Sequence, residues 1–456
     1  MPNHGSALIR TYREEGIRRV KLAFTDIDGV MRGKYISLDK FASIADGTSG
    51  FCDCVLGWDV NDQLYDNAEF TGWHTAFPDA KYRLDLDSEI RLKEEGDTPF
   101  FIADFVLEDQ RHPICPRSRL KDVISRGDKL GYAAKMAFEY EFFVFKETPQ
   151  SALDKGYQNL EPLSPGNFGY STLRTFALSD LFHEFMDYCE DHGVALEGVH
   201  CETGPGVWEA AIGVDDSLAA ADKAARFKVL TKAFFQKRGM MATFMAKWSM
   251  DYPGQSGHLH QSLFDSETGQ SAFYDANQKD GMSQCMEQYV AGVQSSMKSL
   301  LAITAPTINS YTRLVKGAWA PTAATWGIEN RTCALRVIPG GTQSQRVEFR
   351  VGSADANPYL TAAATLGSGL LGIENELLLS DPVLGNAYDI QDQLVEALQL
   401  SGNLAEATQY LRASKEARII FGDQFVSHYV SSRDWEVREH QRYVNDWQLK
   451  RYFEII

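Results

Sequence analysis

The sequence predicts an α+β chain with a smaller, sheet-bearing N-terminal domain and a larger domain that mixes helices with short strands. Three features carry that reading: an early β-hairpin, a helix framed by proline and glycine after His112, and several later strand-like segments with one polar and one apolar face. At 456 residues the chain is long enough for two or three cores, at roughly 150 residues per domain.

Taken in order, residues 7–18 read as a short amphipathic helix. VKLAFTDIDGVMRGKYIS then alternates on both sides of Asp28-Gly29, a dipeptide suited to hairpin turns. In HPICPRSRLKDVISRGDKLGY, Pro116 stands where a helix can start without the missing N–H, and Gly131 stands where it can end. The domain boundary is placed there, giving segments 1–112 and 113–456. Further on, TLRTFALSDLFHEFMDYCEDHG and SLAAADKAARFKVLTKAFFQKRG show helical apolar spacing, and each closes on a glycine.

Composition narrows the function classes. A formal net charge of -17 argues against a nucleic-acid-binding face, and no apolar run is long enough to span a membrane. The seven cysteines form no CxxC pair, which suits free thiols in a reducing compartment; Cys52 and Cys54 are expected as buried strand residues. The N-terminus lacks the apolar segment of a signal peptide, so a cytoplasmic location is expected.

The chemistry lies in the strand-like segments. MAFEYEFFVF carries Glu139 and Glu141 within an apolar run, and strand side chains alternate faces, so both carboxylates share a face opposite Phe138, Tyr140 and Phe142. GVHCETGPGVWEAAI repeats the pattern with His200 and Glu202, then turns and brings Glu209 onto a return strand. GQSGHLHQSLFD aligns His258, His260 and Ser262, and QRVEFRVGS aligns Arg346, Glu348 and Arg350. One such pair alone is what a solvated edge strand shows, but the recurrence points to strands around a shared polar cavity. Glutamates with histidine suit a hard cation such as Mg²⁺ or Mn²⁺, and arginines beside them suit phosphate. Together these are the parts of phosphoryl transfer.

These residues sit in motifs that resemble glutamine synthetases and their relatives, the γ-glutamyl amide ligases. The similarity runs through FTDIDGVMRGK, EYE, ETGPGVWE, GHLHQSL, NSYTRLV, NRTCALR, VEFR and ADANPYL, in order and over essentially the whole chain. The resemblance implies a β-grasp-like N-terminal domain and a larger catalytic domain built as an antiparallel-strand funnel flanked by helices. It implies two divalent metals, one held by Glu141, Glu202 and Glu209, the other by Glu139, His258 and Glu348. Arg313 would grip the α-carboxylate of glutamate, with Gly254 near its amino group; Arg331 and Arg350 would face the γ-carboxylate during phosphorylation. His260, Ser262, Arg336 and Arg346 would contact ATP. The reaction implied is phosphorylation of the glutamate side chain by ATP, then displacement of phosphate by an amine. A homo-oligomer of stacked hexameric rings is implied as well, each site completed by a neighbour's N-terminal domain.

Departures from the family pattern gather where the amine should bind. Trp319 stands six residues after Arg313, where ammonia-using members carry a flap glutamate; Val207 replaces a usual glutamine and Pro253 a common asparagine. Trp58, Asp59, Tyr170 and Trp326 are further candidates for the amine pocket. An amine bulkier than ammonia is therefore expected, an arylamine ahead of alkylamines and polyamines. The alternatives are a true glutamine synthetase, with an acid such as Asp59 replacing the flap base, and a non-catalytic relative. Tyr388 in GNAYDIQ is expected as an ordinary loop tyrosine, despite a loose likeness to a tyrosine that some bacterial members modify.

Overall fold

The hairpin expected around Asp28-Gly29 forms between β1 (Arg19–Thr25) and β2 (Met31–Ser37) in a computed structural model that describes residues 4–455. Asp26 accepts hydrogen bonds from the N–H groups of Asp28 and Val30, and Gly29 takes the left-handed φ of 84° that a side chain would resist. After β3 (Ser49–Cys52), the long β4 (Asp79–Leu92) and β5 (Thr98–Leu107) complete a sheet ordered β2-β1-β5-β4-β3, with the short β6 (Gln110–Arg111) beside β5. The pairing of β1 with β5 is parallel and the rest of this sheet antiparallel. Cys52 ends β3 half-buried, whereas Cys54 lies in a single 3₁₀ turn over Asp53–Leu56, so the expectation of two buried strand cysteines is corrected. All seven cysteines are free.

Pro116 opens a helix over Pro116–Lys129, and Gly131 follows it at φ 82°. The second sheet is centred on β7 (Tyr132–Phe145), flanked by β9 (Val207–Ile212) and β12 (Gly257–Asp265). Its order is β13-β14-β15-β12-β7-β9-β8, with β8 (Leu196–Cys201), β13 (Trp326–Ile328), β14 (Leu335–Ile338) and β15 (Arg346–Phe349); β10 (Asp215–Asp216) and β11 (Met241–Thr243) also pair with β7. The sheet is antiparallel except that β13 runs parallel to β14, so the all-antiparallel funnel is corrected to a mixed one at that edge.

The apolar face of β7 packs as its alternation demands. Phe142 meets Phe185, Trp208 and Phe227, drawn from flanking helices and from β9. Ser217–Gln236 is one continuous helix, but the other expected helix breaks at Leu178 into Thr172–Ala177 and Ser179–Asp191. No helix among the described residues is long and apolar enough to cross a membrane.

Polar side chains join the two sheets. Asn357 donates to the carbonyls of Asp26 and Ile27, and Arg433 pairs with Asp28 at 2.5 Å. Arg117 reaches Asp85 and Asp104 of β4 and β5, each at 2.8 Å, and Asp222 of the Ser217–Gln236 helix at 2.7 Å. Beside it Lys121 pairs with Asp104 at 2.5 Å.

Candidate active site

Strand register turns the period-two pattern into a cluster. Glu209 stands opposite both Glu141 and His200, His258 opposite Glu139, and Glu348 opposite both His260 and Arg336. Directly opposed side chains on one face start about 5 Å apart at Cβ, so functional groups from neighbouring strands converge. All but His200 line a cavity of about 1020 Å³, at the upper end of the roughly 300–1,000 Å³ typical of ligand sites.

Every expected site residue but Asp59, Trp58 and Trp326 lines that cavity. The glutamates and His258 proposed for metal, Arg313 and Gly254, Arg331 and Arg350, the nucleotide candidates Arg336, Arg346, His260 and Ser262, and Trp319 and Tyr170 all face it. Asp59 does not. It is 8% exposed and accepts hydrogen bonds from the backbones of Asn61 and Gln63 and from Trp435 Nε1, so within this chain it is a structural carboxylate. Trp58, under the guanidinium of Arg32, and Trp326, which donates to the carbonyl of Ser380, also lie away from the cavity.

The acidic groups are arranged in two nests. Glu139, His260 and Glu348 offer ligand atoms within 4.8 Å of one another, as do His200, Glu202 and Glu209. His258 Nδ1 lies 3.5 Å from Glu139 and 3.4 Å from Glu348, so it belongs with the first nest. Glu141, opposite Glu209, is already bonded by the N–H and hydroxyl of Ser256 at 2.5 and 2.7 Å, and His200 stands 3.2 Å from Glu209. His260 and His200 thus join nests from which the metal sets inferred from the sequence left them out, while His258 stands beside Glu139 and Glu348.

The charge in these nests is poorly balanced by the protein. Among the described residues, Glu348 is the carboxylate of the group with arginine partners, Arg350 at 2.5 Å and Arg336 at 3.1 Å. Burial and the neighbouring carboxylates of Glu139 and Glu141 push Glu209 up to about 11. Against the cost of burial, hydrogen bonds from His258 and His260 hold Glu139 well below the usual carboxylate range. Hard oxygen donors with histidine nitrogen, in excess of the available cations, are the donor set that fits divalent magnesium or manganese.

Arg313 presents the opposite imbalance. It is 3% exposed, and its guanidinium bonds only backbone carbonyls, those of Val351 at 2.9 Å and Arg350 at 3.2 Å. Burial lowers it to about 10 against the pull of Glu141 and Asp355, and no carboxylate forms a direct ion pair with it among the described residues. Gly254 is required beside it: a Cβ there would lie 2.5 Å from Arg313 Cγ and 2.7 Å from the carbonyl of Ala246. A buried cation facing a cavity and lacking a partner is a receptor for an anion.

The aromatic wall is exposed and strained. Trp319 is 64% exposed at φ 58°, and Tyr170, 70% exposed at φ 56°, stacks on His200 with ring centroids 4.4 Å apart. Bulky residues avoid this backbone region unless their surroundings hold them there. Val207 and Pro253 also line the cavity, so all three departures noted in the sequence meet in one space. Tyr388, expected in a loop, lies in the short helix Ala387–Ile390 with its hydroxyl buried and unpartnered.

Cavity residues that the sequence reading passed over include Ser256, Lys135 and Glu197. Ser256 and Lys135 have the parity of His258 and Glu139, so extending the alternation by one or two steps would have found them. Glu197 lies at a register shift between Leu196 and Gly198, where a bulge resets the parity.

Comparison with known proteins agrees with this geometry. The family model described as the glutamine synthetase catalytic domain matches residues 113–452. The chain is 45% identical over 440 residues to Type-1 glutamine synthetase 2 of Dictyostelium discoideum, covering 96% of this chain and 84% of the relative. It is 37% identical over 452 residues to the glutamate–isopropylamine ligase of Pseudomonas sp, covering 98% of both. A solved GmaS/ADP complex shares the fold with a TM-score of 0.85 at 27% identity, over 98% of this chain and 99% of that one. The chain belongs to the glutamine synthetase family and is an ATP-dependent carbon–nitrogen ligase.

Proposed function

We propose that the protein joins the γ-carboxylate of glutamate to a primary amine bulkier than ammonia, through a γ-glutamyl phosphate. The observation that carries this reading is the meeting of Trp319, Val207 and Pro253 in the cavity that also holds the acid cluster and Arg313. Arg313 binds the α-carboxylate, which supplies the charge its burial lacks. Arg331, exposed on the cavity wall, and Arg350 stabilise charge on the γ-carboxylate as it is phosphorylated. His260, Ser262, Arg336 and Arg346 hold ATP. Glu141, Glu202 and Glu209, with His200 alongside, and Glu139, His258 and Glu348, with His260 alongside, would hold two Mg²⁺ or Mn²⁺ ions. When bound, these ions would neutralise the acid cluster and the phosphate oxygens.

Charge decides the amine. Ammonium and alkylammonium ions must lose a proton before attack, and a flap carboxylate helps with both desolvation and deprotonation. Trp319 removes that base and adds a flat apolar wall, and Asp59 is bonded elsewhere in this chain. An arylamine such as aniline is neutral near pH 7 and gains roughly 0.5–1.5 kcal/mol from aromatic packing. The Pseudomonas relative, named for isopropylamine, supports an apolar substituent on the amine. A second reading, ammonia as substrate, is favoured by the glutamine synthetase name of the Dictyostelium relative.

The test is relative kcat/KM for aniline, isopropylamine, putrescine and ammonia in the parent and in Trp319→Glu. A bulky amine should be preferred by the parent, and Trp319→Glu should lose it selectively. A parent that prefers ammonia overturns the reading.

Assembly is part of the same proposal. Exposed Tyr443, Trp447 and Phe453 near the C-terminus suit burial against other copies of the chain. Light scattering should report a large homo-oligomer, and an active monomer would refute it.

A further inference from the structure

The turn that carries Trp319 and the loop that carries Arg331 rest on one segment, residues 383–400. At the Arg331 loop, the side-chain amide of Asn330 donates to the carbonyls of Val383 at 3.2 Å and Gly385 at 2.8 Å. Thr332 Oγ1 accepts from the N–H of Ala387 at 2.9 Å and donates to Asn330 Oδ1 at 2.6 Å. At the Trp319 turn, Thr322 Oγ1 donates to Gln391 Oε1 at 2.6 Å, and Lys316 pairs with Asp392 at 2.7 Å. The backbone continues the attachment: Leu400 N–H reaches Thr322 O at 3.1 Å, and Ala324 N–H reaches Leu398 O at 2.7 Å. Gln399 ties the segment to itself by donating to the carbonyl of Gln391 at 2.7 Å.

Between the two attachments Tyr388 turns its hydroxyl inward, buried and without a partner. Burial raises its phenol while Arg350 and Arg313 pull the other way, which puts it within electrostatic reach of both cavity arginines. The segment therefore touches the amine side through Gln391 and the phosphorylation side through Ala387, over a short stretch of chain.

Of these contacts, the Lys316–Asp392 pair is solvent-exposed and contributes little. The Thr322–Gln391 hydrogen bond joins two half-buried side chains and leaves an unmet group when either partner is removed. It stands three residues after Trp319, close enough to govern where the indole sits at its strained φ.

We infer that Gln391 is a positioning residue for amine selection, acting through Thr322 to hold the Trp319 turn. This rests on the reading of Trp319 as a wall of the amine pocket. Loss of the bond frees the turn, so the indole spends less time against the amine, while the sites for glutamate and ATP on other strands keep their geometry.

The experiment is steady-state kinetics on the full-length protein as it assembles, with the parent's best amine, ammonia, glutamate and ATP varied in turn. Gln391→Leu and Thr322→Val should each raise KM for the bulky amine by about tenfold, the worth of roughly one net hydrogen bond, and narrow its preference over ammonia. KM for glutamate and for ATP should stay at the parent values. Gln391→Glu, which keeps an acceptor for Thr322, should restore most of the preference. The inference is overturned if the Leu and Val variants leave amine preference unchanged, or if all KM values and kcat shift together as a general loss of structure would dictate. Trp319→Glu separates the two ideas: if that variant leaves amine preference intact, the reading of the pocket fails; if it abolishes preference while Gln391→Leu does not, the positioning role alone fails.

Discussion

Two regions of this protein bury carboxylates, and they balance them differently. At the junction of the two sheets, Asp85, Asp104 and Asp222 surround Arg117, with Lys121 bonded to Asp104 and Asp85. In the cavity, Glu139, Glu141, Glu202 and Glu209 converge with histidines and a serine but without lysine or arginine partners among the described residues. Arg117 and Lys121 pull Asp85 below its usual range despite burial, whereas Glu209 is driven up to about 11. A balanced cluster joins parts of the protein. One left with excess charge is built for a partner that arrives from solution, and the lone buried Arg313 says the same of the opposite charge.

The largest effect should come from the unbalanced side. Glu141→Ala should lower ATP-dependent phosphate release by about a thousandfold or more, since the charge that neutralises the transferring group is lost with the metal. The same substitution should abolish the rise in thermal midpoint that magnesium gives the parent. Normal turnover at saturating magnesium would sink the metal assignment.

On the balanced side, Asp222→Ala should act on stability. Removing one partner from a buried ion pair costs about 3–5 kcal/mol, because Arg117 is left short of charge. Urea unfolding should show the loss, while activity per folded molecule at low temperature stays near the parent's. An unchanged urea midpoint would mean that the junction contributes no net stability.

A smaller effect sharpens the contrast through pH. His428 donates to the carbonyl of Leu56 and lies within aromatic contact of Tyr65 and Phe70, and His112 also packs against Phe70. Burial lowers both histidines to about 4 from an ordinary 6.5, with Arg119 adding to the shift at His112. The unfolded chain therefore binds more protons than the folded one across that window, and stability is lost as pH falls from 6.5 towards 4. His428→Gln keeps a donor for Leu56 and should flatten this slope; Glu209 contributes equally to both proteins and cancels in the difference. Parallel pH profiles for parent and variant would count against the assignment.

Much of the site was legible because strand alternation is local. Glu139 with Glu141, His258 with His260, and Arg346 with Glu348 share faces whatever the rest of the chain does, and Gly204, Gly206 and Gly29 mark turns by their own backbone freedom. Where local rules break, the reading broke with them. The register shift near Gly198 hid Glu197, Leu178 split an expected helix, and Trp326, opposite the buried Leu335, packs away from the cavity. The place of Asp59 outside this chain's own cavity was hidden for a non-local reason, since its partner Trp435 lies 376 positions away.

The sequence by itself determined which residues share a face, where the chain turns, that the chain is acidic overall, and which positions depart from the family near the amine. Only the tertiary structure decided that Glu209 stands between Glu141 and His200, that Arg313 is buried without a counterion, and that residues 383–400 support two loops of the cavity at once. The physical reason is that side-chain parity follows from each strand's own geometry. Register, burial and charge balance depend instead on which distant segments pack together, and the energy that selects those partners is spread over the whole core.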